Sequence, residues 1–205
     1  MTGPVRVGVV GEDLGFADFL GPWIDRIAAD RSIPTEVVPA ELTHACRPAQ
    51  LRNWLERLEP RCDLLVVGAD SGGSTHARTT RSYRRKVQDM APLVDARAKP
   101  VVLAVAEPSV EAWLIADPSA FADGITAGTG VRFRVPAVWP RPRGERDAKE
   151  ALGRLLAEGL GEPLLRNGFE FAPEIVRRMT PGSSESLDAW VREFERTLSS
   201  VARGR

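Results

Sequence analysis

Three short runs constrain this chain most: VRVGVV from Val5, LLVV from Leu64 and VVLAVA from Val101. They are apolar almost continuously rather than at every second position, the pattern of strands covered on both faces. Between the first two runs, Phe16, Phe19, Leu20, Trp23, Ile24 and Ile27 recur at three and four residues and form one stripe of a helix. Leu51, Trp54, Leu55 and Leu58 form a second stripe, on a helix that starts near Pro48 and ends before Pro60. Ile33 to Val38 reads as a short edge strand because of its prolines. Beyond Asp70, the sequence predicts a loop that includes His76, then a charged helix from about Thr80 to Val94. Strand, helix, strand units repeated before residue 110 predict an α/β fold, with a mostly parallel central sheet and helices on both faces.

The second half is less regular. GITAGTGVRFRVPAVWPRPRG is rich in turn residues, so an irregular excursion is expected around 118–146, with a candidate short strand at Val131 to Val135. Asp147 to Gly159 reads as a helix. Ser186 to Ser199, with Leu187, Trp190, Val191, Phe194 and Leu198 on one face, reads as a closing helix. A chain of 205 residues can bury one substantial core. Residues 1–200 are therefore expected to form a single domain, and 201–205 a loose tail.

Several function classes are disfavoured. Lys plus Arg and Asp plus Glu both number 28, so net charge gives no support for nucleic acid and only a local patch can. Two cysteines, Cys46 and Cys62, and two histidines, His44 and His76, support neither a disulfide framework nor a soft-ligand zinc site. With no processing signature at the start and no apolar segment near the length of a membrane span, a cytoplasmic protein without membrane contact is expected.

Acids stand just beyond the three main strands: Glu12 after VRVGVVG, Asp70 ending LLVVGAD, and Glu111 one turn into the helix that follows VVLAVAEP. Parallel sheets place ligand groups at the carboxyl ends of their strands. If these strands are adjacent, the three carboxylates share one cleft, and such oxygen ligands suit Mg²⁺ or Mn²⁺ better than zinc. Without a cation they repel one another. Each also has an ordinary explanation as a turn former or helix-start residue. Glu107, before Pro108, is a further candidate ligand or a helix cap. Ser71 and Gly72 of the DSGGST turn, with His76, are auxiliary candidates. Lys149 in DAKEAL can project toward phosphate or simply face solvent.

A basic segment follows the Asp70 loop: Arg78, Arg81, Arg84, Arg85 and Lys86. On a helix, Arg78, Arg81 and Arg85 share a broad face able to contact the backbone phosphates of DNA or RNA. A solvated helix face explains the same residues without a partner.

GEDLG with Glu12, VVGADSGG with Asp70 and PSVEAWLIAD with Glu111 together resemble the Toprim-like superfamily, especially RloB-related bacterial proteins. The later DAKEAL and DAWVREF segments are also similar to that group, so the resemblance spans most of the chain. It implies a Toprim-like α/β domain in which acids and Mg²⁺ perform phosphoryl chemistry on nucleic acid. Glu12 corresponds to the family glutamate, and Asp70 to the first acid of an Asp-Xaa-Asp motif. Gly72 stands where the second Asp is expected, which removes one ligand. The resemblance further implies an ATPase partner, ABC/SMC-like or AAA-type, and a role in phage defence.

The leading expectation is Mg²⁺-dependent phosphodiester hydrolysis in DNA or RNA. Glu12, Asp70 and Glu111 would act as ligands, with Glu12 also a candidate general base and Arg or Lys neutralising phosphate. Two alternatives fit the same residues: a noncatalytic subunit of an ATPase complex, and a metal-dependent nucleotide-processing enzyme.

Overall fold

The computed structural model describes residues 3–12, 14–38, 48–72, 76–160 and 168–205. Among them, β1 (Val5–Gly11), β2 (Thr35–Val38), β3 (Leu64–Asp70) and β4 (Val101–Ala106) form one four-stranded sheet in the order β2-β1-β3-β4. Every pairing is parallel. The continuous apolar runs were the decisive signal, because β3 is buried at every position. Proline-flanked β2 lies on the edge, as its composition predicts.

Side chains alternate between two cores. Val5, Val7 and Val9 of β1, Leu64 and Val66 of β3, and Val102 and Ala104 of β4 pack beneath α1 (Leu14–Asp30) with its stripe of Phe16, Phe19, Leu20, Trp23, Ile24 and Ile27. On the opposite face, Val10, Leu65, Val67 and Ala69 meet Leu51, Leu55 and Leu58 of α2 (Pro48–Leu58) and Met90 and Leu93 of α3 (His76–Asp95). Helices on both faces leave the sheet exposing its carboxyl edge, where three strand ends stand side by side. No helix among the described residues is long and apolar enough to cross a membrane.

Four expectations change. First, α3 begins at His76, so His76 and Arg78 belong to the helix rather than to a loop. Second, the first part of the expected excursion is helical: after the short α4 (Val110–Leu114), α5 spans Pro118–Thr129. Asp117 is its N-cap, Pro118 opens its first turn, and Gly130 closes it in the left-handed region at φ 71°. Its glycines read as turn formers, yet Gly124 serves packing against α7 (Ala172–Arg178) and Gly128 against Phe171 just before it. A Cβ at Gly124 would lie 2.8 Å from both Cα and N of Ile175. Main chain cannot yield as a flexible side-chain tip can, so Gly124→Ala is expected to lower stability by about 2 kcal/mol, read as an earlier midpoint in urea unfolding. An unchanged midpoint would show that the two helices separate freely.

Third, Val131 to Val135 is not a strand. Phe133 is buried edge-on against Phe121, its N–H donates to Thr126 Oγ1 at 3.0 Å, and Arg134 N–H donates to Gly159 O at 2.9 Å. The segment is pinned across α5 and α6 (Glu145–Leu160), with no strand beside it to complete a ladder. Fourth, the closing helix α8 runs Glu185–Arg203, beyond the expected end. Val201 and Ala202 still pack on the core, and the Arg205 guanidinium donates to Gly3 O at 3.0 Å and Pro4 O at 2.6 Å, so 201–205 is anchored rather than loose.

Candidate functional site

The carboxyl ends of β1, β3 and β4 are adjacent because β3 pairs with both neighbours, Gly11 opposite Gly68 and Asp70 opposite Ala106. The β1–β3 ladder runs one residue further, as Glu12 N–H donates to Gly68 O at 3.1 Å. That register carries the Glu12 side chain across the end of β3. Its Oε2 accepts the Asp70 N–H at 2.8 Å, and its Oε1 lies 3.6 Å from Lys86 Nζ. Both partners of this ion pair are largely shielded, with side chains 23% and 18% exposed for Lys86 and Glu12.

Asp70 is buried, and its Oδ1 accepts the Val110 N–H at 2.9 Å, tying the start of α4 to the end of β3. The turn after Asp70 is clamped to the segment after β4: Ser71 N–H donates to Ala106 O at 2.9 Å and Gly72 N–H to Pro108 O at 3.1 Å. Gly72 sits at φ 68°, left-handed backbone that a glycine adopts without steric cost. This conformation accounts for glycine at the position where the resemblance expects a second acid.

Glu111 follows Val110 directly. It is 7% exposed, and its Oε2 is buried with no hydrogen-bond partner among the described residues. A carboxylate oxygen removed from water without a donor is costly. Lys149, on α6, answers part of the negative field: its Nζ bonds Glu145 Oε1 at 2.8 Å. Burial opposes the Lys149 charge, but the Glu145 hydrogen bond and the fields of Glu111, Glu145 and Asp70 outweigh it, holding its pKa above the ordinary lysine value. Lys149 is thus a persistent cation that faces two of the expected acids. It cannot serve as a base near neutral pH.

Of the expected ligands, Asp70 binds the main chain of Val110, the residue before Glu111, and both acids act on the Lys149 charge. Glu12 is beside them but spends its oxygens on the Asp70 N–H and Lys86. Glu107 follows Ala106 at the end of β4. It lines a neighbouring cleft of about 400 Å³ with Pro108, Trp139 and Arg141, and neither Asp70 nor Glu111 lines that cleft. Among the described residues, no three His, Cys, Asp or Glu side chains are gathered into a set able to hold a metal ion. A three-carboxylate chelate is therefore not assembled. Mg²⁺ is commonly held by one or two carboxylates, with waters and substrate phosphate completing its shell. An unpartnered Glu111 oxygen, on the residue after the Val110 that Asp70 binds, is consistent in chemistry with that smaller donor set.

No protein-family model, curated protein or solved structure matches the chain. Its function must be read from its own geometry.

The basic segment divides. Lys86 turns inward to Glu12, whereas Arg85 is 82% exposed and, among the described residues, pairs with Asp89 at 3.6 Å on its own helix. The side chains of His76, Arg78, Arg81 and Arg84 lie outside the described residues. Sequence reasoning missed Glu145, which holds Lys149 and approaches Gly72: a Cβ built on Gly72 would meet Glu145 Oε2 at 3.6 Å. The available signal was its position four residues before Lys149, the spacing of a helical ion pair.

Proposed function

We propose that the chain hydrolyses phosphodiesters in DNA or RNA at the carboxyl edge of its sheet, with a divalent cation held by Asp70 and Glu111. The observation that carries this reading is the buried, unpartnered Oε2 of Glu111, the residue after the Val110 whose N–H Asp70 binds, with both acids acting on Lys149. The resemblance of GEDLG, VVGADSGG and PSVEAWLIAD to Toprim-like, RloB-related proteins supports the same chemistry and suggests an ATPase partner in a bacterial defence setting. When bound, Mg²⁺ or Mn²⁺ would polarise a phosphoryl oxygen and acidify water.

The chain's own groups then have distinct tasks. Lys149, kept protonated, neutralises charge on phosphate oxygens. Glu12 fixes the Asp70 main chain and, paired with Lys86, is the candidate acceptor for the proton of attacking water. Glu145 positions Lys149. The test is cleavage of labelled single- and double-stranded DNA and RNA with Mg²⁺ or Mn²⁺, beside Asp70→Asn. Metal-dependent products that fall by about 100-fold or more in the variant are expected. Absence of cleavage on every polymer, or an Asp70→Asn variant as active as the parent, overturns the proposal.

A noncatalytic reading draws on a different observation: Glu12 already has partners for both oxygens, and Asp70 has a structural task at the start of α4. Mn²⁺ titration by calorimetry separates the two readings, since a noncatalytic site would show no heat that Glu111→Gln removes.

A further inference from the structure

Opposite β2 the sheet ends in β4, whose outer edge is unpaired among the described residues. At the two ends of the β3–β4 ladder, Leu65 N–H donates to Pro100 O and Ser71 N–H to Ala106 O. The parallel pattern between them turns the main-chain groups of residues 102 and 104 toward β3 and those of Val101, Leu103 and Val105 outward. Those outward groups have no hydrogen-bond partner among the described residues. They border a groove of about 310 Å³ walled by Val87, Ala91 and Val94 of α3 and by Ala189, Trp190 and Glu193 of α8. Val87, Ala91 and Val94 lie four and three residues apart, forming one half-buried stripe along the groove. Trp190 is 2% exposed, and its indole N–H has no acceptor. An open strand edge between apolar walls is a template for one more strand.

We propose that this strand is β4 of a second copy of the chain, running antiparallel about a twofold axis at Leu103. The sequence KPVVLAVAE is self-complementary in that register: Val101 meets Val105 of the partner subunit, and Lys99 meets Glu107 of the partner subunit. Twofold symmetry makes each pair twice. Opposite charges directly across a strand pair attract, and like charges there repel. Moving the axis by half a residue in either direction sets Lys99 opposite the partner's Ala106 or the partner's Pro108 instead, so only the Leu103-centred register pairs the two charges. The result is a continuous eight-stranded sheet, four strands from each copy.

Sedimentation equilibrium on the full chain tests this proposal with three variants. The parent is expected to dimerise below about 100 µM. Leu103→Pro removes an outward N–H while leaving the β3-facing donors in place, so it is expected to sediment as a folded monomer. Lys99→Glu sets glutamates against each other twice and is expected to weaken the dimer about tenfold or more. Adding Glu107→Lys to Lys99→Glu restores opposite pairs and should restore the dimer. If circular dichroism shows that Leu103→Pro is unfolded, the charge reversal and its rescue decide. A parent that is monomeric at about 200 µM overturns the proposal and leaves the edge to a strand from a different protein. A dimer insensitive to Lys99→Glu, or one that the double variant fails to rescue, also overturns it.

Discussion

Glu111→Gln is expected to reduce phosphodiester cleavage by about 100-fold or more while leaving the fold as stable as the parent, or more stable. The two effects share one cause. Glu111 keeps Oε2 buried without a donor, an arrangement whose penalty in folded proteins is about 1 to 3 kcal/mol. A neutral amide of the same shape sheds most of the charge burial, so the loss of a carboxylate should not weaken packing among Val110, Trp113 and Leu114. Cleavage needs the oxygen that folding leaves without a donor. Single-turnover rates and urea midpoints measured on the same preparations check both halves. A variant that cleaves normally but unfolds earlier would assign Glu111 a purely structural role. One that loses cleavage without losing stability marks a residue retained for chemistry.

Lys149 gives that experiment an internal control. Its pKa is raised, with burial opposed by the Glu145 hydrogen bond and by the fields of Glu111, Glu145 and Asp70. The folded value lies above the unfolded one, so its stabilising contribution is complete below the ordinary lysine range and is lost as pH rises through the folded value. Removing the Glu111 charge lowers that folded value, so the alkaline loss of stability should be smaller and end at lower pH in Glu111→Gln than in the parent.

The strands and their direction were legible because burial on both faces writes itself as unbroken apolar runs, and the α1 stripe because each of its six expected members is buried. Legibility failed where one residue type served two ends. Gly124 and Gly128 read as turn formers, but they stand inside α5, where Ile175 and Phe171 approach too closely for a Cβ. The acids were legible as a neighbourhood and not as a constellation. Sequence placed Glu12, Asp70 and Glu111 just beyond three strands and left their adjacency open; the order β1-β3-β4 supplies it. It could not reveal that the one-residue extension of the β1–β3 ladder turns Glu12 onto the Asp70 N–H, or that Lys86 leaves the basic face to meet it. Those outcomes depend on register and rotamer, which no spacing encodes.

Asp117→Ala is expected to lower stability by about 3 kcal/mol, the largest loss predicted for any polar residue here, and to lower the melting temperature by about 9 °C. Its carboxylate joins two elements. Oδ1 accepts the Ala120 N–H at 3.0 Å as the N-cap of α5, and Oδ2 accepts both Thr180 N–H at 3.0 Å and Thr180 Oγ1–H at 2.9 Å, just past α7. Alanine removes the cap, worth about 1 kcal/mol, and strands the Thr180 donors at a site where Asp117 is only 9% exposed. The pH dependence identifies the source. Burial pushes the Asp117 pKa up, but the hydrogen bonds from Ala120 and Thr180 outweigh it and hold the folded value below the ordinary aspartate range. The contribution is therefore complete above the unfolded pKa of about 3.9 and is lost as pH falls through the lower folded value. Urea unfolding of parent and variant should show a constant gap from about pH 5 to 8 that narrows below about pH 4. Asp117→Asn, which keeps one acceptor oxygen, should fall between them. A gap that persists undiminished in acid would mean that side-chain packing, rather than the ionised carboxylate, joins α5 to the end of α7.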